Sequence, residues 1–368
     1  MIVNNSYSFV GILFKIIFKS IYAEIFLSDY VFRSFKMNSN FIIMKKLSLP
    51  ILCFLFTAHV ATSQPTSVIF DSDMGPDYDD VGAITLLHAF ADEGKANILA
   101  TIASTKYDNV AAVFSVFNTY FKMPNIPIGV PKDKALDLRD WQFWTDSVVK
   151  RYLHAINSNK DVPDAVALYR RILSIQPDKS VTIITVGFLT NLNNLLQSKA
   201  DMFSPLTGDQ LVKQKVKQLV SMAGKYPEGS EFNINRDFGS AKFVYENWPT
   251  PVLFSGFEIG EKIKCGLPLI HNDAITNSPV KDVFKICIPQ AAEDSAGRKS
   301  WDETAVLVGV LGYNNWYDVK HGNISISEKD GSNKWIDSDN GTHAYLVEKT
   351  SPAVVQKLID ELIMHQPK

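Results

Sequence analysis

Cysteine is scarce in this chain. There are three in 368 residues, Cys53, Cys265 and Cys287, and their spacing matches no thiolate metal site. A disulfide framework is excluded as the source of stability. Cys265 and Cys287 could still pair in an oxidising compartment, a question of distance that sequence leaves open. An excess of positive charge is also missing. The formal net charge is −2 and no Lys/Arg cluster occurs, so neither nucleic acid nor an anionic membrane surface is an expected partner. After Gln64 there is no internal repeat, no low-complexity tract and no obvious linker. What remains is an ordinary globular composition, 46% hydrophobic and 21% charged, long enough for one large domain or two small ones.

The first sixty or so residues differ from the rest. Met44-Lys45-Lys46 precedes an apolar run from Leu47 to Val60, followed by the small residues of Ala61-Thr62-Ser63-Gln64. That is the layout of a secretory signal peptide, and the run is short for a membrane span. The expected organisation is an upstream extension over 1–43 with synthesis starting at Met44, a signal peptide over 44–63, and a single domain over 64–368. A membrane anchor in the first segment is the competing reading. The expected location of the mature chain is secreted or periplasmic, not embedded in a membrane.

Beyond Gln64, short β-branched runs alternate with helical periodicity. Ser67–Phe70, Ile98–Ala103, Val181–Val186, Val216–Met222 and Val252–Phe254 read as buried strands. Val81, Ile84, Leu87 and Ala91 share one helical face, as do Val110, Val113, Phe114, Phe117 and Phe121. A helix is expected from about Leu189. This alternation predicts an α/β fold, a largely parallel sheet with helices on both faces. In such sheets ligands bind beyond the C-terminal ends of the strands.

One of those ends is unusually acidic. Asp71-Ser72-Asp73-Met74-Gly75-Pro76-Asp77-Tyr78-Asp79-Asp80 carries five carboxylates directly after the first strand. The dipole of the following helix, expected from about Val81, favours Asp79 and Asp80 but cannot offset five like charges. A hard cation would, and oxygen donors suit calcium or magnesium. Gly75-Pro76 allows a turn that could bring Asp73 and Asp80 to one ion. A solvated acidic loop is the bland alternative. An EF-hand is excluded, because the twelfth position is Gly82 rather than Glu and no helix precedes. A phosphatase with a nucleophilic Asp in Asp-x-Asp would use Asp71 and Asp73 but leave Asp79-Asp80 idle.

The acidic loop resembles the hallmark of the inosine–uridine nucleoside hydrolase family, Asp-x-Asp-x-Gly-x-Asp-Asp, with two extra residues. Four further segments in the same order resemble that family: Asp108-Asn109, Thr185-Val186-Gly187-Phe188-Leu189-Thr190-Asn191, Gly229-Ser230-Glu231-Phe232-Asn233-Ile234-Asn235-Arg236-Asp237, and Ser300-Trp301-Asp302-Glu303-Thr304-Ala305. The resemblance implies an open, mostly parallel, Rossmann-like α/β sheet and one tightly held Ca2+. It implies Asp73, Asp80 and Asp302 as side-chain ligands, with the Val186 carbonyl as a fourth. It implies ribose contacts from Asp79, Asn109, Glu231 and Asn233, and a homo-oligomer. The implied activity is calcium-dependent hydrolysis of the N-glycosidic bond of ribonucleosides, giving ribose and free base. The alternatives are a hydrolase of another N-ribosyl compound and an inactive calcium-dependent ribosyl-binding protein.

The chemistry is consistent with those residue types. Cleavage at C1′ builds positive charge on the sugar, which carboxylates stabilise. Asp73 is the expected base for the attacking water. Many family members carry His where this chain has Trp301, and an indole cannot act as a general acid, although it could stack on the base. Tyr226 is a candidate proton donor in its place. Asn191 is expected to be structural, Asp237 and Arg236 a structural pair, and Trp141-Gln142-Phe143-Trp144 either a pocket wall or helix packing. Asp77 is an extra carboxylate with no assigned role.

Overall fold

A computed structural model describes residues 64–368. The expected boundaries at 43 and 63 lie outside the described residues. The described residues cluster as one compact unit. Among the described residues, no helix is long and apolar enough to cross a membrane.

The sheet begins with β1 (Thr66–Ser72), α1 (Asp79–Asp92), β2 (Ala96–Ala103), α2 (Val110–Tyr120) and β3 (Ile128–Gly129). It continues through α3 (Ala165–Ser174), β4 (Val181–Thr185), α4 (Thr190–Gln197), β5 (Val216–Met222), β6 (Glu228–Gly229), α5 (Phe232–Arg236) and β7 (Val252–Ser255). After a small two-stranded sheet, β8 (Lys264–Cys265) with β9 (Arg298–Lys299), come α6 (Trp301–Leu311), β10 (Tyr317–Ile326), β11 (Asn333–Asp337), β12 (His343–Glu348) and α7 (Pro352–Ile363). The main sheet has ten strands in the order β3-β2-β1-β4-β5-β7-β12-β10-β11-β6. The run from β3 to β12 is parallel, and the last three strands add antiparallel.

The sequence supports this architecture through its side-chain period of two. Along β1, Val68 and Phe70 face α1, α2, α6 and α7, while Ile69 faces the layer that holds α3 and α4. Both faces are covered, so the middles of the central strands are largely apolar, as expected for a parallel sheet. The chain leaves β1 for β2 on one side, and β4 lies on the other. This reversal of strand order opens a crevice at the C-terminal ends of β1 and β4, where ligands of open α/β sheets bind.

Cys265 and Cys287 are both buried and free. Cys265 instead accepts a hydrogen bond from Ser300 and donates one to Glu303.

Candidate active site

The acidic loop turns away from β1 at this crevice. Its first carboxylate, Asp71, is fully buried and accepts hydrogen bonds from Tyr169 at 2.8 Å and Asn191 at 3.0 Å. Burial pushes it up to about 7 despite those donors. Asp71 and Asn191 therefore fasten the loop rather than face the cleft. The backbone N–H of Val186 donates to the Asp71 carbonyl at 2.8 Å, tying the end of β4 to the loop. Gly187 makes the approach possible, because a Cβ there would lie 2.5 Å from the Asp73 nitrogen.

Beyond this anchor lies an open cleft, about 400 Å³ of empty space with the open solvent at its mouth included. Asp73, Asp77, Asp79, Glu231 and Asp302 give it an acidic floor. Asn233 and the Val186 backbone complete the polar part, and Met222, Phe232, Phe257 and Trp301 form apolar walls. Six separated stretches of chain thus meet at one point: 73–79, 186, 222, 231–233, 257 and 301–302. Seven residues expected at a site are brought together here: Asp73, Asp79, Val186, Glu231, Asn233, Trp301 and Asp302. Asp80 is fully buried beside them. One of its oxygens accepts from Ser72 at 2.5 Å and from the Met74 N–H at 3.1 Å. The other is buried without a partner.

Electrostatics makes this arrangement costly on its own. Burial, then Asp80 and Asp77, raise Asp73 well above the usual carboxylate range. Burial, then Asp79 and Asp80, do the same to Asp302. Asp80 is pushed up to about 6 by burial and Asp79. An orphaned carboxylate oxygen and mutually repelling acids fit a hard divalent cation, whose ligands are all oxygen. Among the described residues, no three Asp, Glu, His or Cys side chains already stand close enough to enclose an ion.

Glu231 and Asn233 are oriented by backbone. Glu231 caps α5 and accepts from the N–H groups of Asn233 at 2.7 Å, Ile234 at 3.1 Å and Gly224 at 3.1 Å. The Asn233 amide donates to the carbonyls of Val186 and Met222, both at 3.2 Å. Trp301 donates its indole N–H to the Phe257 carbonyl at 2.8 Å, and the two rings lie 5.1 Å apart.

Other expectations are met differently. Asn109 is exposed at the start of α2 with a left-handed φ of 71°, and it does not line the cleft. Tyr226 is buried against Tyr345 and likewise does not line it. Trp141 and Phe143 are exposed. Trp144 is buried and donates to the Asp77 carbonyl at 3.2 Å, so the packing reading of this stretch fits. Arg236 sits over the Phe232 ring, while Asp237 accepts from Thr190.

The sequence reading missed Arg298. It is buried, and it donates from Nε and Nη2 to one oxygen of Asp79, at 3.1 and 2.7 Å. The other oxygen of Asp79 accepts from the N–H groups of Trp301 at 3.2 Å and Asp302 at 3.3 Å. Both oxygens of Asp79 thus have protein partners. The unexplained charge of Asp77 was the one sequence sign of a hidden cation.

Residues 68–353 match the family described as inosine-uridine preferring nucleoside hydrolase. No curated protein sequence matches the chain. Similar solved structures include a plant nucleoside hydrolase, 17% identical, with a TM-score of 0.63 and 82% of this chain and 99% of that one covered. A purine-preferring ribonucleoside hydrolase from Gardnerella vaginalis is 16% identical, with a TM-score of 0.64 and coverage of 81% and 99%. An inosine-uridine preferring nucleoside hydrolase from Bacillus anthracis is 15% identical, with a TM-score of 0.60 and the same coverage. At these identities the structural likeness concerns the fold.

Proposed function

Because the chain belongs to the inosine–uridine preferring nucleoside hydrolase family, whose members hydrolyse N-glycosyl compounds, we propose that it is a calcium-dependent ribonucleoside hydrolase. The observation that carries this reading is the meeting of Asp73, Asp302, Glu231, Asn233 and the Val186 backbone in one cleft with aromatic walls. Asp73, Asp80, Asp302 and the Val186 carbonyl would hold the cation. When bound, the ion supplies a fixed positive charge that orients the ribose diol and acidifies the attacking water.

Asp73 takes the proton from that water as it adds to C1′. The bond from C1′ to the base breaks, and its electron pair leaves with the base. Asp302 and Glu231 stabilise the positive charge that develops on the sugar. The Asn233 carbonyl oxygen is free to accept from a sugar hydroxyl while its amide is held by backbone. Trp301 and Phe257 offer an apolar surface to the base. Export through a signal peptide over 44–63 and a homo-oligomeric state belong to the same reading.

One observation favours a second substrate class. The Trp301 N–H is committed to the Phe257 carbonyl and Tyr226 is buried elsewhere, so neither donates a proton to the departing base. N-ribosyl compounds with better leaving groups than inosine or uridine would suit such a cleft.

The deciding experiment follows ribose release by the purified protein with calcium, from a panel of nucleosides and nicotinamide riboside. An Asp73→Asn variant should lose roughly a thousandfold or more in kcat. Ribose release that persists in that variant, or after chelation, would sink the mechanism. Release from none of the compounds would sink the hydrolase reading.

A further inference from the structure

Asp77 lies in the part of the acidic loop that is longer than the motif it resembles, and the reaction leaves it unused. Its carboxylate pairs with Arg298. The same guanidinium holds Asp79, lies 3.7 Å from Asp294, and lies over two rings, 5.0 Å from the Tyr78 centroid and 5.2 Å from the Trp301 centroid. Tyr78 in turn donates to Asp294 at 2.7 Å. Arg298 is therefore the centre of a closed set of contacts between residues 77–79 and residues 294–301, with 8% of its surface exposed.

The contacts continue beyond Arg298. The second oxygen of Asp79 receives the first two backbone N–H groups of α6, those of Trp301 and Asp302. Arg298 thus fixes Asp79, and Asp79 fixes the helix start that carries an aromatic wall and an acidic floor residue of the cleft. Resting on the hydrolase reading above, the geometry points to Arg298 as a positioning residue: with Asp77 and Asp79 it forms a brace that sets Trp301 and Asp302 relative to the acidic loop. In this role Asp79 is held by protein on both oxygens and acts on the reaction through α6.

A guanidinium is needed, because one planar fork must reach two carboxylates while lying over two rings. An ammonium offers the charge without the fork. Displacing Asp302 by a fraction of an ångström would loosen both the cation and the alignment of the sugar. Small misplacements of this kind lower turnover by about a hundredfold.

The test is a double-mutant cycle on the full chain with two readouts, kcat and KM on the best substrate of the panel and calcium affinity by calorimetry. Arg298→Met is expected to lower kcat about a hundredfold with KM within about threefold, and to weaken calcium about tenfold. Arg298→Lys should stay within about threefold of Arg298→Met. Asp77→Asn should lower kcat about fivefold alone and have no effect in the Arg298→Met background, the non-additivity of a shared network. Three results would overturn the brace. One is full activity and calcium affinity in the lysine variant. Another is additive losses. The third is unchanged kcat and calcium affinity in Arg298→Met with only a lowered Tm. If Arg298→Met does not fold, Asp77→Asn and Arg298→Lys decide the same question. If the native protein hydrolyses nothing on the panel, the hydrolase reading fails, while the calcium titrations of the variants still test the brace.

Discussion

Two opposing effects act on the carboxyl of Glu231. Burial disfavours its charged form, and three backbone N–H donors favour it. Burial wins, pushing the group from 4.5 up to about 7. The sign for stability follows from linkage. Between about pH 4.5 and 7 the folded chain holds a proton that the unfolded chain has released. This contribution is fully present at low pH and is lost as pH rises through the folded value. A shift of that size corresponds to about 3 kcal/mol. Denaturant unfolding of the calcium-free protein at pH 5 and pH 8 should register part of this difference. Glu231→Gln keeps an oxygen toward the backbone donors but has no proton to lose. Its unfolding free energy should therefore change less between the two pH values than that of the native chain. An unchanged pH dependence in the variant would assign the effect to other groups.

Among the elements, α1 and α6 lie together beneath the cleft and are buried nearly all round. Gly82 and Glu303 meet there. A Cβ at Gly82 would lie 2.0 Å from an oxygen of Glu303, a fully buried carboxylate whose second oxygen has no partner. Helix propensity alone favours alanine over glycine by up to about 1 kcal/mol. The overlap should reverse that sign, because forcing atoms into a packed interior costs about 1–3 kcal/mol. Gly82→Ala is therefore expected to lower the urea midpoint, and a raised midpoint would mean that Glu303 has room to move. The same helices show what was legible. β4 could be read because it is a short β-branched run buried on both faces, and β1 and β5 because their apolar centres are buried. The reading of α1 as a one-faced stripe was too modest, since the residues between its stripe positions are buried as well. β10 and β11 went unread because exposed and charged residues interrupt them, leaving no clean alternation. The acidic loop was legible because its charges are contiguous. Arg298 was not, since a single arginine in an irregular stretch gives no pattern until its partners are placed around it. Asn109, read from its place at a helix start, lies exposed there and is not among the residues lining the cleft.

At the scale of the molecule, the cleft joins parts of the chain that are far apart in sequence, from Asp73 to Asp302. Asp73 and Asp302 repel their acidic neighbours there, and one buried oxygen of Asp80 has no partner. A cation bound here would act on the whole domain, because a ligand that binds only the folded state stabilises it by mass action. At about a thousandfold excess over Kd the gain is about 4 kcal/mol. For a domain of this size that corresponds to a rise in Tm of roughly 6 °C or more. Calcium should exceed magnesium at equal concentration. The proposed ligands come from three segments, and among the described residues no tight trio of carboxylates stands ready, which suits the larger ion's flexible shell better than a strict octahedron. Asp302→Asn should remove most of the rise, and Asn109→Ala none of it, since Asn109 does not line the cleft. Thermal scans of the chelated protein, then with each ion added, make the comparison. An equal rise with magnesium would overturn the assignment of calcium. No rise with either ion would remove the cation from this cleft and leave its acids to be explained by the substrate alone.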